Sequence, residues 1–388
     1  MTLFKSLLQR FATEPAFSHG QSAALPNTRE NTTGCAVLYC NLGTPDAPTA
    51  PALRRYLGEF LSDGRVVEIP KPVWLLILHG IILRIRPKKS AAKYASIWTP
   101  EGSPLKVWTQ KQALMLKGYL AVRGHAVDVR YAMRYGSPSI PAQLDALKAA
   151  GATRILIMTA YPQYSATTTA SVFDAVYGWA AKVRRIPELR FVNHYHDDDG
   201  YIEACAASIR AHWQKNGQAE KLVMSFHGVP TRTLELGDPY HCECHKTARL
   251  IAEKLQLPPE RYLLTFQSRF GKAKWLEPYT EPTLVKMAKA GVKSVDICCP
   301  GFTGDCLETL EEISMEARHA FLEAGGTAFS YIPCINDNPD WIAALAKISL
   351  SHMGGWPTPA VVEPAHKASI AAENQARQQR AVSLGAKQ

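Results

Sequence analysis

Nowhere in the 388 residues is there an apolar run long enough to cross a bilayer. The longest, residues 73–85 from Val73 to Ile85, falls short of the roughly 20 residues a spanning helix needs. The chain also lacks G-x-G-x-x-G and G-x-x-x-x-G-K-[ST], so nucleotide binding is without its usual sign. It lacks paired C-x-x-C motifs and H-E-x-x-H, which removes the common zinc patterns. No compact arginine-rich run accompanies the net charge of +10, so nucleic acid is not the expected partner. The first residues hold no continuous apolar stretch and no cleavage signal, and a secretory signal is not expected.

Nine cysteines in a chain this long do not make a disulfide scaffold. The odd count and the Cys298-Cys299 neighbours indicate free thiols and a reducing, cytoplasmic setting. One cluster stands apart: His241-Cys-Glu-Cys-His245 packs four soft-metal ligands into five residues, an incomplete zinc pattern without a distant second pair.

Residues 1–33 read as a loose arm, and residues 357–388, which hold no aromatic side chain, read as a solvated, flexible tail. Between them, eight β-rich runs alternate with helical stretches, as in parallel sheets with crossover helices. Strands are expected at 36–41, 127–134, 154–160 and 190–194, then at 222–226, 262–267, 294–298 and 329–332. The two sets are followed by similar loops: Gly43-Thr-Pro45 matches Gly228-Val-Pro230, and Met133-Arg-Tyr-Gly136 matches Ser268-Arg-Phe-Gly271. The fold expected is α/β: two Rossmann-like lobes, 34–200 and 201–356, each with a four-stranded parallel sheet flanked by helices. An insertion at 46–117 in the first lobe carries the apolar segment 73–85, which ends in Arg84, Arg86, Lys88 and Lys89. That pairing fits a segment lying on an anionic membrane surface or lining an apolar ligand's entrance, and equally an ordinary core helix.

Ligands in open α/β sheets bind outside the carboxyl ends of the strands. His227 closes the fifth expected strand, where a neutral imidazole serves as general base or metal ligand. A helix opening near Asp305 would stack Asp305, Glu308 and Glu312 on one face, a track for metal ions or protons. Arginines (Arg65, Arg134, Arg269) and aromatic side chains (Tyr135, Tyr161, Tyr164, Trp275) in the remaining loops suit a large, flat, acidic and apolar ligand.

These segments resemble the ferrochelatases, which insert ferrous iron into protoporphyrin IX in the last step of haem synthesis. The resemblance rests on Asn41-Leu-Gly-Thr-Pro45, Phe60-Leu-Ser-Asp-Gly-Arg65, Gly102-Ser-Pro-Leu105, Ala132-Met-Arg-Tyr-Gly136, Tyr161-Pro-Gln-Tyr-Ser165, Ser225-Phe-His-Gly-Val-Pro230, Gly237-Asp-Pro-Tyr240, Phe266-Gln-Ser-Arg-Phe-Gly271, Trp275-Leu-Glu-Pro-Tyr-Thr280 and the stretch from Cys299-Pro-Gly-Phe302 to Glu312. They run in order along almost the whole body. The resemblance implies a chelatase-like fold and catalysis by His227 and Glu308, which would also meet the metal. It implies that Asp305 and Glu312 extend a metal or proton track. It places Arg134 and Ser103 toward the substrate's propionates and Leu42 and Tyr164 along the macrocycle, and Arg65 is expected to bind substrate with them. Fe(II) and protoporphyrin IX would be the substrates, with no cofactor required and membrane contact through the 73–85 lip at the inner membrane.

Some members that use coproporphyrin carry tyrosine where Leu42 stands, so leucine points to the protoporphyrin route. Others hold an iron–sulfur cluster through cysteines in a C-terminal extension. The tail here has no cysteine, which leaves an internal cluster site among Cys242, Cys244, Cys298, Cys299, Cys306 and Cys334 as the open alternative. A chelatase for another metal or for coproporphyrin, and a non-catalytic tetrapyrrole-binding protein, are the competing readings.

Overall fold

Hydrophobic residues fill both faces of the strands, so both faces of each sheet must be covered by helices. The computed structural model describes residues 34–271, 273–359 and 364–385, and the expected arm at 1–33 lies outside them. The strands are β1 (Cys35–Gly43), β2 (Asp128–Tyr135), β3 (Arg154–Thr159), β4 (Glu188–Phe191), β5 (Lys221–His227), β6 (Tyr262–Gln267), β7 (Ser294–Cys298) and β8 (Ala328–Tyr331). All pair in parallel, in the orders β2-β1-β3-β4 and β6-β5-β7-β8. The same order in both sheets is what a duplicated unit produces. β4 ends earlier than its expected 190–194, because its pairing with β3 stops at Phe191 opposite Ile157.

Alternation along β1 and β3 sorts their side chains onto two faces. Ala36, Leu38, Cys40, Ile155 and Ile157 meet helices Ile140–Ala149 and Ser171–Ala180 on one side. Val37, Tyr39, Leu156 and Met158 face the other side, into a core shared with Met224, Phe226 and Leu264 of the second sheet. The two lobes therefore do not have separate interiors. Helices Pro104–Val122, Asp199–Asn216, Tyr240–Lys254 and Pro339–His352 supply the side chains that join them.

This exchange of helices refines the expected boundaries. The insertion written as 46–117 contains most of helix Pro104–Val122, which is the crossover between β1 and β2 and packs on both strands. Helix Pro339–His352, in the second half by sequence, returns to pack on that crossover and on Asp199–Asn216. The chain after it stays with the first sheet: Arg190 donates to the carbonyls of His352 and Gly354, and the Trp356 indole donates to Glu188. Farther on, the expected tail forms a helix, Pro364–Ser383.

In each sheet the chain steps from the first strand to one neighbour and then crosses to the other side, so the switch points lie between β1 and β3 and between β5 and β7. The turns there are tight. A Cβ on Gly43, at φ 113°, would stand 1.8 Å from the Tyr135 carbonyl oxygen, and one on Gly228 would stand 2.8 Å from that of Gln267. Both glycines let the first strand of a half press against its neighbour's backbone where the functional loops begin.

Trp341, fully buried, stacks at 5.8 Å on Tyr195 and meets Tyr201 edge-on at 5.9 Å within the shared core. Trp341→Ala is expected to lower unfolding free energy by about 3–5 kcal/mol, with one cooperative transition, as read by urea denaturation. Two separated transitions would contradict the shared core.

Candidate active site

His227 is the last residue of β5 and is half-buried. Its Nδ1 lies 2.6 Å from the Gly228 carbonyl oxygen, which can only accept, so Nδ1 carries a proton and, in the neutral ring, Nε2 holds the lone pair. The turn thus orients the imidazole with Nε2 not engaged by its own backbone. Trp275 packs beside it with ring centres 6.5 Å apart.

Opposite His227 in register on β6 stands Gln267, buried and saturated with bonds. Its Oε1 accepts from the Ser225 hydroxyl at 2.7 Å, and its Nε2 donates to the Glu308 carbonyl oxygen at 2.9 Å. One amide therefore ties the strand that carries the base to the helix that carries the carboxylate. Sequence reading gave Gln267 no role, although it lies inside the quoted Phe266-Gln-Ser-Arg-Phe-Gly271 segment.

The acidic helix departs from expectation. It does not run as an α-helix from Asp305 but as a π-helix over Glu308–Ala317, with its first helical residue at Leu307. Asp305 precedes it, is buried, and accepts from Thr309 Oγ1 at 3.0 Å and Asn336 Nδ2 at 2.7 Å, and from the Tyr331 hydroxyl. Those donors satisfy its carboxylate. Asp305 thus anchors the start of the helix from just outside it, and the expected helical stacking of all three carboxylates is replaced by a helix that carries Glu308 and Glu312.

Glu308 and Glu312 stay together. Ser268, held at φ 67°, donates its backbone N–H to Glu312 Oε1 at 2.6 Å and its hydroxyl to Oε2 at 2.5 Å. Burial pushes the Glu312 carboxyl up; the Ser268 bonds and the neighbouring His227 oppose the rise, and the Glu308 charge adds to it. His227, Glu308 and Glu312 therefore occupy one electrostatic neighbourhood. Glu311 turns the other way: Lys93 bridges it and Glu316 at 2.9 Å each, and a five-residue separation suits the i→i+5 turn of a π-helix.

The first lobe and its insertion build the opposing wall. Burial pushes the hydroxyls of Tyr56, Tyr94 and Tyr161 well up, and the Glu308 charge acts in the same direction on all three, which places them around that carboxylate. The Tyr161 hydroxyl is buried with no hydrogen-bond partner. Leu42 packs, half-buried, against the insertion's own core of Leu53, Tyr56, Leu57, Leu78 and Tyr94, as does Leu307, the residue before Glu308. The wall is apolar at the level of the carboxylate.

The expected anion anchors are already engaged. Arg134 donates through one terminal nitrogen to Asp63 at 2.6 Å and through Nε to Ser171 Oγ at 2.7 Å. Burial works against ionisation of Asp63, but donation from Ser171, the Arg65 backbone and Tyr135, with the Arg134 charge, holds its carboxyl below the usual range. Arg65 makes a two-point contact with Asp174 at 2.8 and 3.2 Å on the exposed side. Ser103 is buried and accepts from Thr44 Oγ1 at 2.7 Å, and Tyr164 is half-buried with its backbone N–H on Glu243. Asp63, inside the quoted Phe60-Leu-Ser-Asp-Gly-Arg65 segment, was not singled out from sequence.

The cysteines do not gather into a cluster cradle. Among the described residues no three thiols come within shared ligand distance. Burial pushes Cys298, Cys299, Cys306 and Cys334 well up as neutral thiols, while Cys242 is exposed.

The ferrochelatase family model matches residues 34–353. The ferrochelatase of a Polaromonas species is 75% identical over 350 residues, covering 90% of this chain and 94% of that one. That of Methylibium petroleiphilum is 67% identical over 356 residues, covering 92% and 95%. Among solved structures, SirB from Bacillus subtilis with Fe3+ aligns with a TM-score of 0.48 at 13% identity, covering 82% of this chain and 95% of that one. With the family model spanning both lobes and relatives this similar along nearly their whole length, the chain belongs to the ferrochelatase family.

Proposed function

We propose that the protein inserts Fe(II) into protoporphyrin IX in the cleft between the lobes, with His227 as the base and Glu308 as its partner. The observation that carries this reading is the fixed tautomer of His227, which leaves Nε2 basic beside Glu308 and Glu312. Metal insertion releases two pyrrole protons for each ferrous ion that enters. A neutral imidazole takes a proton from the ring face it meets, and the carboxylates offer the complementary charge for the incoming cation or a departing proton. Glu312, with both oxygens held by Ser268, is the better positioned to relay charge without moving.

The ring must also bend to expose its nitrogen lone pairs. Binding energy from the apolar macrocycle and its propionates can offset that distortion where the cleft fits the bent form better. Leu42 and the insertion core give the apolar wall, and this favours protoporphyrin, with two carboxylates, over coproporphyrin, with four. For Arg134 to take a propionate, the Asp63 contact must be shared or exchanged, so this anchor binds by substitution of one carboxylate for another.

The insertion also supports contact with a membrane surface. No helix among the described residues is long and apolar enough to span a bilayer. Instead Leu76 is 78% exposed, Ile85 60%, and Val73 and Ile81 54% each, an apolar face with no partner among the described residues, beside the basic Arg84, Lys88 and Lys89. A poorly soluble porphyrin delivered from lipid would meet the cleft across this lip.

His227→Ala should lower insertion turnover by about 100- to 10,000-fold while the far-ultraviolet spectrum and porphyrin binding stay unchanged. Wild-type turnover in that variant would rule out the base assignment. Glu308→Gln should lower kcat with the porphyrin Kd retained; loss of porphyrin affinity with kcat intact would move Glu308 from the metal to the ring. Replacing Leu76, Ile81 and Ile85 with serine should weaken co-sedimentation with anionic vesicles by about tenfold for each side chain that inserts fully, at roughly 1.5 kcal/mol apiece. Unaltered sedimentation would remove the membrane-facing role of the lip.

A further inference from the structure

The His241-Cys-Glu-Cys-His245 cluster does not converge as its composition promises. Helix Tyr240–Lys254 points Cys244 into the shared core, leaves Cys242 exposed, and sets His241 and His245 side by side at a tilt, with His241 stacked on Phe266. The residue that does find ligand partners is the one in the middle. Glu243, 6% exposed, faces His194 and His196 from the segment that follows β4 in the first lobe. One nitrogen of each ring and one Glu243 oxygen all lie within 4.8 Å of one another.

The arrangement is built and incompletely satisfied. His196 is buried, and its Nδ1 finds no hydrogen-bond partner although it stands 3.3 Å from Glu243 Oε2. An orphaned buried ring nitrogen aimed at a carboxylate is costly unless something sits between them. The backbone around it is held in place: Thr247, one turn beyond Glu243, donates its hydroxyl to the His196 carbonyl at 2.7 Å, and Gln163 donates to Thr247 at 2.9 Å. Glu243 meanwhile accepts from His194 Nδ1 at 2.6 Å and from the Tyr164 backbone N–H at 2.7 Å. His194 is exposed, which leaves the site open to solvent on one side.

We propose that His194, His196 and Glu243 bind a divalent first-row transition ion at the junction of the lobes, at a site separate from the cleft pair His227 and Glu308. Two imidazoles and one carboxylate are the donor set that zinc, ferrous iron and cobalt prefer, with waters completing the shell, whereas magnesium and calcium favour oxygen throughout. The ion ties a first-lobe turn to a second-lobe helix. Through the Glu243 bond to Tyr164 it also fixes the loop that follows β3, one of the loops at the mouth of the cleft.

The test counts ions in full-length protein whose cleft base has been removed. Equilibrium dialysis of His227→Ala against Co(II) is expected to retain an ion that His227→Ala/His194→Ala binds about 10- to 100-fold more weakly, a loss of one ion per chain at limiting metal. The exposed His194 ring is chosen because its removal opens no cavity. Added Zn(II) is expected to raise the Tm of His227→Ala and to leave that of the double variant unmoved. Equal Co(II) binding by the two proteins, or equal Zn(II) shifts, overturns the site. Neither readout depends on porphyrin, so failure here leaves the cleft chemistry standing, and failure of the cleft chemistry leaves this site standing.

Discussion

The bond from Gln267 to the Glu308 carbonyl is the contact on which the geometry of the proposed catalytic pair depends. Gln267 sits at the end of β6 beside His227, so the position of the base is set by sheet register, the most rigid coordinate the fold possesses. The carboxylate comes from a helix, whose placement against a sheet is softer. A buried amide that accepts from Ser225 and donates to the first residue of the π-helix transfers the rigidity of the sheet to that helix. Ser268, the next residue, does the same for Glu312 through two bonds. Preorganisation of this kind is what lets charges wait at fixed positions without reorganising during the reaction.

The strands were legible because each is buried on both faces and bounded by Gly- or Pro-containing turns, a pattern that survives without any tertiary knowledge. The position of His227 followed from the same logic, since Gly228 and Pro230 stop the strand just beyond it. The edge strand β4 was placed two to three residues late, because Val192 beyond Phe191 reads as strand although the pairing with β3 stops opposite Ile157. Asp305 was misplaced for a different reason. Helical spacing on paper assumed 3.6 residues per turn from the first acidic residue, whereas the helix begins later and is widened by i→i+5 bonding. Gln267, Asp63, Lys93 and Glu243 carry no local signal at all, because each acts through a partner far away in the chain.

Charge is handled locally throughout the cleft in spite of the basic total. Asp63 neutralises Arg134, Asp174 meets Arg65, and Lys93 meets Glu311 and Glu316, so the substrate faces paired groups and not a field of one sign. An arginine held by an internal carboxylate keeps its planar fork oriented before any ligand arrives, at the cost of competing with that ligand. The Glu308 carboxylate differs from these, since tyrosine hydroxyls and apolar side chains surround it and, among the described residues, no arginine or lysine is hydrogen-bonded to it. A cation arriving there would meet a partner that has not already been matched.

The insertion then does more than cover the opening. Its Lys93 grips the π-helix that carries Glu308 and Glu312, its Glu68 meets Arg232, and Arg86 lies 5.5 Å above the Phe270 ring, so the first lobe's lip is fastened to the second lobe on both sides of the cleft. Exposed ion pairs such as Arg232–Glu68 contribute only about 0–1 kcal/mol each, so the fastening can open at modest cost. The Lys93 bridge is different because Glu311 is buried, and burial pushes its carboxyl up against the pull of the lysine. Movement of the lip away from the cleft would strand that carboxylate or carry the π-helix with it. The charge contact between the lip and the π-helix thus rests on Lys93, which lies outside every motif by which the chain resembles its family.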